Sequence, residues 1–183
     1  FVINEPNSGE VDYWFVFDRP NTKETAICAP ENIFLITPEP PSIRTYSAEF
    51  TRQFHHIITS HPSLEHPNKI YWHQSNLWFV KKTHAELSEI NDIPKDKFLS
   101  IIVSNKTITE GHRKRLDFCM ALKEEFKEDV DLFGRGITPF EDKWDTLAPY
   151  KYSIAIENEY LDHWFTEKIY DCWLAKTLPL YYG

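Results

Sequence analysis

Short apolar runs recur along the chain, at 13–17, 33–36, 56–59 and 69–72 and again at 98–103, 130–133, 153–156 and 178–182. Polar turn residues close each run, and a mixed segment long enough for a helix usually follows. Strands that are apolar throughout suit a parallel sheet covered on both faces, because a half-exposed antiparallel strand would alternate. The pattern predicts α/β architecture. Between the later strands, 112–127 sets Leu116, Met120 and Leu122 among Lys, Arg and Glu and reads as a helix. Residues 166–176 read likewise, with Ile169, Cys172 and Trp173 at helical spacing and Thr166 placed to cap. These are crossover helices of βαβ units. The stretch 76–97 carries clustered charge, Asn91-Asp92-Ile93-Pro94 and little strand character, which marks a linker. Two lobes are expected, 1–95 including the linker and 96–183.

Apolar residues make up 42 % of the 183, with 13 Phe, 9 Tyr and 6 Trp, so the chain has material for a packed core. Its 20 Lys and Arg against 28 Asp and Glu give a net charge of -8. No global positive field exists to hold nucleic acid, and an anionic ligand has to be met by a local basic cluster. Cys28, Cys119 and Cys172 lie far apart, and their odd number leans toward a reducing compartment. No apolar run approaches the roughly 20 residues that span a bilayer. The sequence begins at Phe1 without an initiator Met and stops at Gly183 directly after a predicted strand, so both ends are expected to be cut from a longer protein.

With 5 Gly in the chain there is no G-x-G-x-x-G and no P-loop, which argues against a dinucleotide oxidoreductase or an NTPase. His55, His56, His61, His66 and His73 cluster without metal-ligand spacing, and no metal site is expected. The informative block begins at Tyr150-Lys151-Tyr152-Ser153-Ile154-Ala155-Ile156-Glu157-Asn158. It continues through Asp162-His163-Trp164-Phe165-Thr166-Glu167-Lys168 to Leu178-Pro179-Leu180-Tyr181-Tyr182-Gly183. This is a buried strand ending in a polar pair, a loop, a helix opening with Thr-Glu-Lys, and another strand. In an open α/β sheet the loops beyond the strands' carboxyl ends form the ligand crevice. A helix N-terminus there offers N–H groups and a positive dipole end to phosphate, and Lys168 would add a full charge.

That block resembles the signature of glycosyltransferase family 10, the α-1,3/4-fucosyltransferases: aromatic-Lys-Phe, an apolar strand, Phe-Glu-Asn, a loop, Tyr-Val-Thr-Glu-Lys, a helix and Val-Pro-Val-x-x-Gly. Upstream, Ile101-Ile102-Val103-Ser104-Asn105 and Asp129-Val130-Asp131-Leu132-Phe133-Gly134 are similar to the family's Val-Val-Ser-Asn strand and Val-Asp-x-Tyr-Gly turn. Phe34-Leu35-Ile36-Thr37-Pro38-Glu39-Pro40-Pro41-Ser42 resembles the strand leading into Glu-Ser-Pro. The resemblance implies a GT-B-like fold of two Rossmann-type lobes with mainly parallel sheets. It also implies an inverting, metal-independent transfer of L-fucose from GDP-fucose to a glycan acceptor, without a cofactor.

The same resemblance assigns residues. Glu39 aligns with the general base, its alternative being a solvated loop carboxylate between prolines. Lys168 and an arginine after Asn105 would meet the diphosphate. Among Arg113, Lys114 and Arg115 the alignment favours Arg115, with a charged helix face as the alternative. Glu167 matches the carboxylate on the nucleotide ribose, or is a first-turn carboxylate answering the helix dipole. Glu157, Asn158 and Trp164 complete the donor set. Two positions depart from the family: Trp164 stands where Tyr is usual, which loosens the assignment of fucose, and Lys176 replaces a common Gly. The same fold with another nucleotide sugar, or an inactive nucleotide- or carbohydrate-binding module, are the competing readings. Asn105-Lys106-Thr107 is a glycosylation sequon falling where the family has a buried strand end. A bacterial, cytoplasmic protein is expected, peripherally membrane-associated through segments outside this chain, or a Golgi-lumen protein if eukaryotic.

Overall fold

A computed structural model describes residues 9–183. The chain forms two compact units, Phe1–Ser75 with Leu161–Trp164, and Asn76–Tyr160 with Phe165–Gly183.

In the first unit, β1 (Trp14–Phe17), β2 (Ile33–Thr37), β3 (His56–Thr59) and β4 (Lys69–Tyr71) form a sheet in that order. All its pairings are parallel. Val16, Leu35, Ile57 and Phe54 make the core on one face, with Tyr46, Phe50 and Leu64 packed against them. Phe50 belongs to α1 (Ala48–Thr51), capped by Ser47. The expected cover on both faces is only half present among the described residues. Phe15 and Phe17 are exposed, and Phe15 stacks on Phe34 at 4.8 Å. The reason is local: a single four-residue helix cannot shield a second sheet face.

The second unit contains α2 (His84–Glu89), β5 (Lys97–Ile102), α3 (Glu110–Phe126), β6 (Val130–Phe133), β7 (Tyr150–Ile156), α4 (Glu167–Leu174) and β8 (Leu178–Tyr182). Its strand order is β6-β5-β7-β8, again all parallel. Leu99, Ile101, Val103, Val130 and Leu132 pack against Cys119 of α3 on one face. Ala155 packs with Cys172 and Ala175 of α4 on the other. Successive strand residues face opposite ways, which is how continuous apolar runs such as 98–103 serve two cores at once.

The stretch read as a linker, 76–97, is packed on the second unit. Val80 is buried in its core, the Phe79 N–H donates to Asp171 at 2.9 Å, and Lys95 Nζ donates to the carbonyls of Ala148 at 2.6 Å and Ala175 at 2.8 Å. These long-range contacts move the division from 95/96 to Ser75/Asn76. Lys176 adopts φ 53°, the left-handed geometry that explains a family preference for Gly there. Its ammonium offsets the strain by donating to Ile90 and Asn91 carbonyls at 2.6 and 2.8 Å.

Candidate functional site

The strand order of the second unit dictates where a ligand can sit. From β5 the chain leaves through α3 on one face to β6, and from β7 it leaves through α4 on the opposite face to β8. The connections therefore part between β5 and β7, opening a crevice beyond the strands' carboxyl ends. A pocket of ≈ 250 Å³ occupies that position, floored by Ile102, Val103, Ala155 and Cys172. Lys106, Arg115, Arg135, Lys143 and Lys168 line it against one carboxylate, Glu167. In a chain of net charge -8 this is a strongly local concentration of positive charge.

Arg115 is fixed by α3. Of the three candidate cations it is the buried one, at 8 % exposure. Arg113 reaches out to the Thr107 carbonyl, and Lys114 pairs with Glu110 on the surface. Burial lowers the Arg115 pKa, yet a guanidinium remains charged at neutral pH. Its Nε is buried without a hydrogen-bond partner, as is Oδ1 of Asn158. Buried polar atoms left unpaired are rare, and the one on Arg115, which lines the pocket, marks where a ligand's polar groups belong.

The entry to α4 is built on Glu157. Thr166 was expected to cap the helix with its side chain, but it makes no such bond. Its hydroxyl and N–H are held instead by the Glu157 carboxylate, the N–H at 2.8 Å and the hydroxyl at 2.8 Å from Oε2. Lys168 Nζ donates to the same carboxylate at 2.9 Å. A buried carboxylate below the strand end outcompetes the exposed capping geometry because it would otherwise be an unpaired charge. Glu157 thus supports the pocket from beneath, and Lys168 enters it already paired. Burial works against the Glu167 carboxylate, but Lys168 and Lys143 outweigh it and keep its pKa below the ordinary value. Asp171, whose pKa burial raises, takes Lys143 at 2.6 Å.

α3 approaches this strand end through Gly111. A Cβ there would stand 1.8 Å from the Asn158 carbonyl oxygen. Gly111→Ala is expected to cost about 1–3 kcal/mol of stability, the usual cost of overpacking, readable from urea unfolding. Next in the helix, His112 is buried against Thr109, 2.7 Å from its hydroxyl. Burial, then the charges of Arg115, Lys106 and Lys168, lower its pKa from the ordinary 6.5. Above that value His112 is neutral both folded and unfolded. Below it the unfolded chain takes up a proton that the fold resists, so stability falls as pH drops toward the folded pKa. Thermal unfolding between about pH 7 and 5.5 should show this loss, and His112→Gln should flatten it.

The structure thus brings Arg115, Glu167 and Lys168 into one pocket; Glu157 joins it through Lys168, whereas Asn158 lies against Gly111 of α3 and is not among the lining residues. Trp164 does not line the pocket. It is buried in the first unit, its indole N–H donating to the Pro38 carbonyl at 3.1 Å. Glu39 follows β2 in the first unit, with an exposed side chain. Asn105 is exposed rather than buried, its amide lying over Gly136. Asp131 pairs with Lys97 at 3.0 Å and accepts from Tyr150 at 2.6 Å, and no cluster of three or more metal-type side chains occurs among the described residues. Sequence reading missed Lys106, Arg135 and Lys143. The first two follow strands β5 and β6 closely enough to have been suspected, whereas Lys143 is placed only by Asp171 and Glu167, far along the chain.

Two parallel α/β units, the second carrying a cationic pocket at its switch point, make a GT-B-like fold. Residues 93–183 match the model of glycosyltransferase family 10 (fucosyltransferase), C-terminal part, so that this stretch of the chain carries the C-terminal part of that family. A crystal structure of an α1,3-fucosyltransferase aligns with a TM-score of 0.54 at 17 % identity, over 92 % of this chain and 56 % of its own. One with GDP aligns at 0.53 and 17 %, over 100 % of this chain and 57 % of its own. One with GDP-fucose aligns at 0.53 and 20 %, over 90 % and 57 %. Such identities establish the fold, and this chain spans little more than half the length of those proteins. No curated protein matches it in sequence. No described helix is long and apolar enough to cross a membrane.

Proposed function

We propose that the protein transfers L-fucose, with inversion, from GDP-fucose to a hydroxyl of a glycan acceptor. The observation that carries this reading is Arg115, a buried guanidinium with an unpaired Nε in the pocket that Lys168 also lines. A diphosphate supplies the missing acceptors. Glu39 takes the proton of the acceptor hydroxyl as its oxygen attacks the anomeric carbon. The bond from that carbon to the β-phosphate oxygen breaks, and GDP leaves with the charge stabilised by Arg115 and Lys168. Glu167 accepts hydrogen bonds from the ribose hydroxyls, and no metal or cofactor is required. The solved α1,3-fucosyltransferases with GDP and GDP-fucose support the choice of donor.

A second reading keeps this chemistry with another nucleotide sugar, favoured by Trp164, whose indole is committed to Pro38 where the family has Tyr. A panel of GDP- and UDP-sugars tested for thermal stabilisation and transfer separates the two, since a ligand binding only the native state raises its midpoint. Stabilisation by GDP with transfer from GDP-fucose supports the first. Stabilisation and transfer with a different sugar alone moves the assignment to the second. No response to any nucleotide overturns both.

A further inference from the structure

Thr37 ends β2, and the chain then runs through half-buried Pro38, exposed Glu39, buried Pro40 and half-buried Pro41. A loop of this kind ordinarily leaves its carbonyls to water. Here both peptide groups flanking the Glu39 α-carbon are held by buried donors. The Pro38 carbonyl accepts from Trp164 Nε1 at 3.1 Å and from Gln74 Nε2 at 3.4 Å. The Glu39 carbonyl lies 2.6 Å from His61 Nε2, which must carry the proton because a carbonyl only accepts. His61 and Trp164 are each 4 % exposed, and Gln74 is 1 % exposed.

His61 is itself fixed. Its backbone N–H donates to Thr59 Oγ1 at 3.0 Å, and that hydroxyl accepts from the Thr37 hydroxyl at 2.6 Å across the sheet. The Tyr46 ring abuts it edge-on at 5.6 Å, and the Tyr46 hydroxyl donates to Asp18 at 2.7 Å. Pro38 fixes its own φ, and Pro40 confines Glu39 to extended geometry. The backbone of Glu39 is thereby immobilised from both sides while its carboxylate stays exposed. Three buried side chains direct their donors at two loop carbonyls, and the effect is to fix the direction in which the Glu39 side chain leaves the backbone.

We propose that His61 and Trp164 are positioning residues for Glu39, aiming its carboxylate by clamping the two peptide groups that flank it. This rests on the reading of Glu39 as the base. It also gives Trp164 a task that a Tyr hydroxyl in contact with the donor would not perform. Displacing a reacting group by about 1 Å costs on the order of 10²-fold in rate, so loss of either clamp should lower kcat by roughly 10- to 100-fold. KM for the donor should not change.

The test uses the full-length protein with GDP-fucose and an N-acetylglucosamine-bearing oligosaccharide. Trp164→Phe keeps the ring and removes the donor; His61→Gln keeps a donor and His61→Leu removes it. The expected result is a lower kcat for Trp164→Phe and His61→Leu, partial recovery in His61→Gln, unchanged GDP affinity, and no further loss when either is added to Glu39→Ala. If the wild type transfers nothing, or Glu39→Ala keeps its turnover, the reading of Glu39 fails and the proposal falls with it. If Glu39→Ala is inactive while both clamp variants keep the wild-type kcat, the proposal alone is wrong. Failure of both clamp variants to fold also overturns it, since the contacts would then hold the fold rather than the base.

Discussion

Arg115→Met should leave the ligand-free protein as stable as the wild type or more so, while removing its stabilisation by GDP. The two effects have one cause. A guanidinium at 8 % exposure with a buried, unpaired Nε carries a desolvation cost that the charges of Glu157 and Glu167 offset only in part. Methionine fills similar volume without that cost. When a diphosphate is present the balance reverses, because hydrogen bonds to charged groups contribute about 1.5–3 kcal/mol each. GDP affinity should fall by on the order of 10²-fold, measured by titration calorimetry alongside thermal unfolding with and without nucleotide. A variant less stable without ligand but still stabilised by GDP would show that Arg115 is a structural cation.

Glu157→Gln should be the most destabilising single change in the second unit. Its carboxylate, with a fully buried side chain, accepts from the Thr166 N–H and hydroxyl and from Lys168, whose side chain is 18 % exposed. The amide can still accept from the Thr166 N–H, but its NH₂ then faces the Lys168 ammonium, donor against donor. Removing one partner of a buried ion pair costs about 3–5 kcal/mol. For a chain of this size that is a fall of roughly 6–20 °C in melting temperature. Lys168→Met in the same background should recover part of the loss, because the strandedness of the charge, not the missing contact, supplies most of it. An unchanged midpoint for Glu157→Gln would contradict this account of how α4 begins.

The sheet strands were legible in the sequence because parallel strands are buried on both faces and announce themselves as uninterrupted apolar runs. Eight runs were read and eight strands formed among the described residues, with ends displaced by at most three residues. The short helices α1 and α2 were missed, although Ser47 and the Thr83–Glu86 capping box mark their starts. Each has too few residues to show an apolar stripe, and local caps carry little weight without one. In the site, Lys168, Glu167 and Glu157 were legible because they share one contiguous block. Arg115 could be preferred over Arg113 and Lys114 only by alignment, since burial on a helix of mixed charge is decided by what packs against it. The contact made by Trp164 was hidden for the opposite reason. Its neighbours in sequence belong to the donor motif, but its hydrogen-bond partner, Pro38, lies 126 positions away.

That separation bears on how the protein can be taken apart. The first unit is not a continuous stretch, since Leu161–Trp164 belongs to it while the residues on either side belong to the second. A chimera made by one crossover at Ser75/Asn76 would therefore set one parent's Trp164 loop against the other parent's Pro38. Faithful exchange of the first unit needs three junctions, and in a lineage that recombined its lobes the tetrapeptide would have to travel with the half of the gene it is not part of.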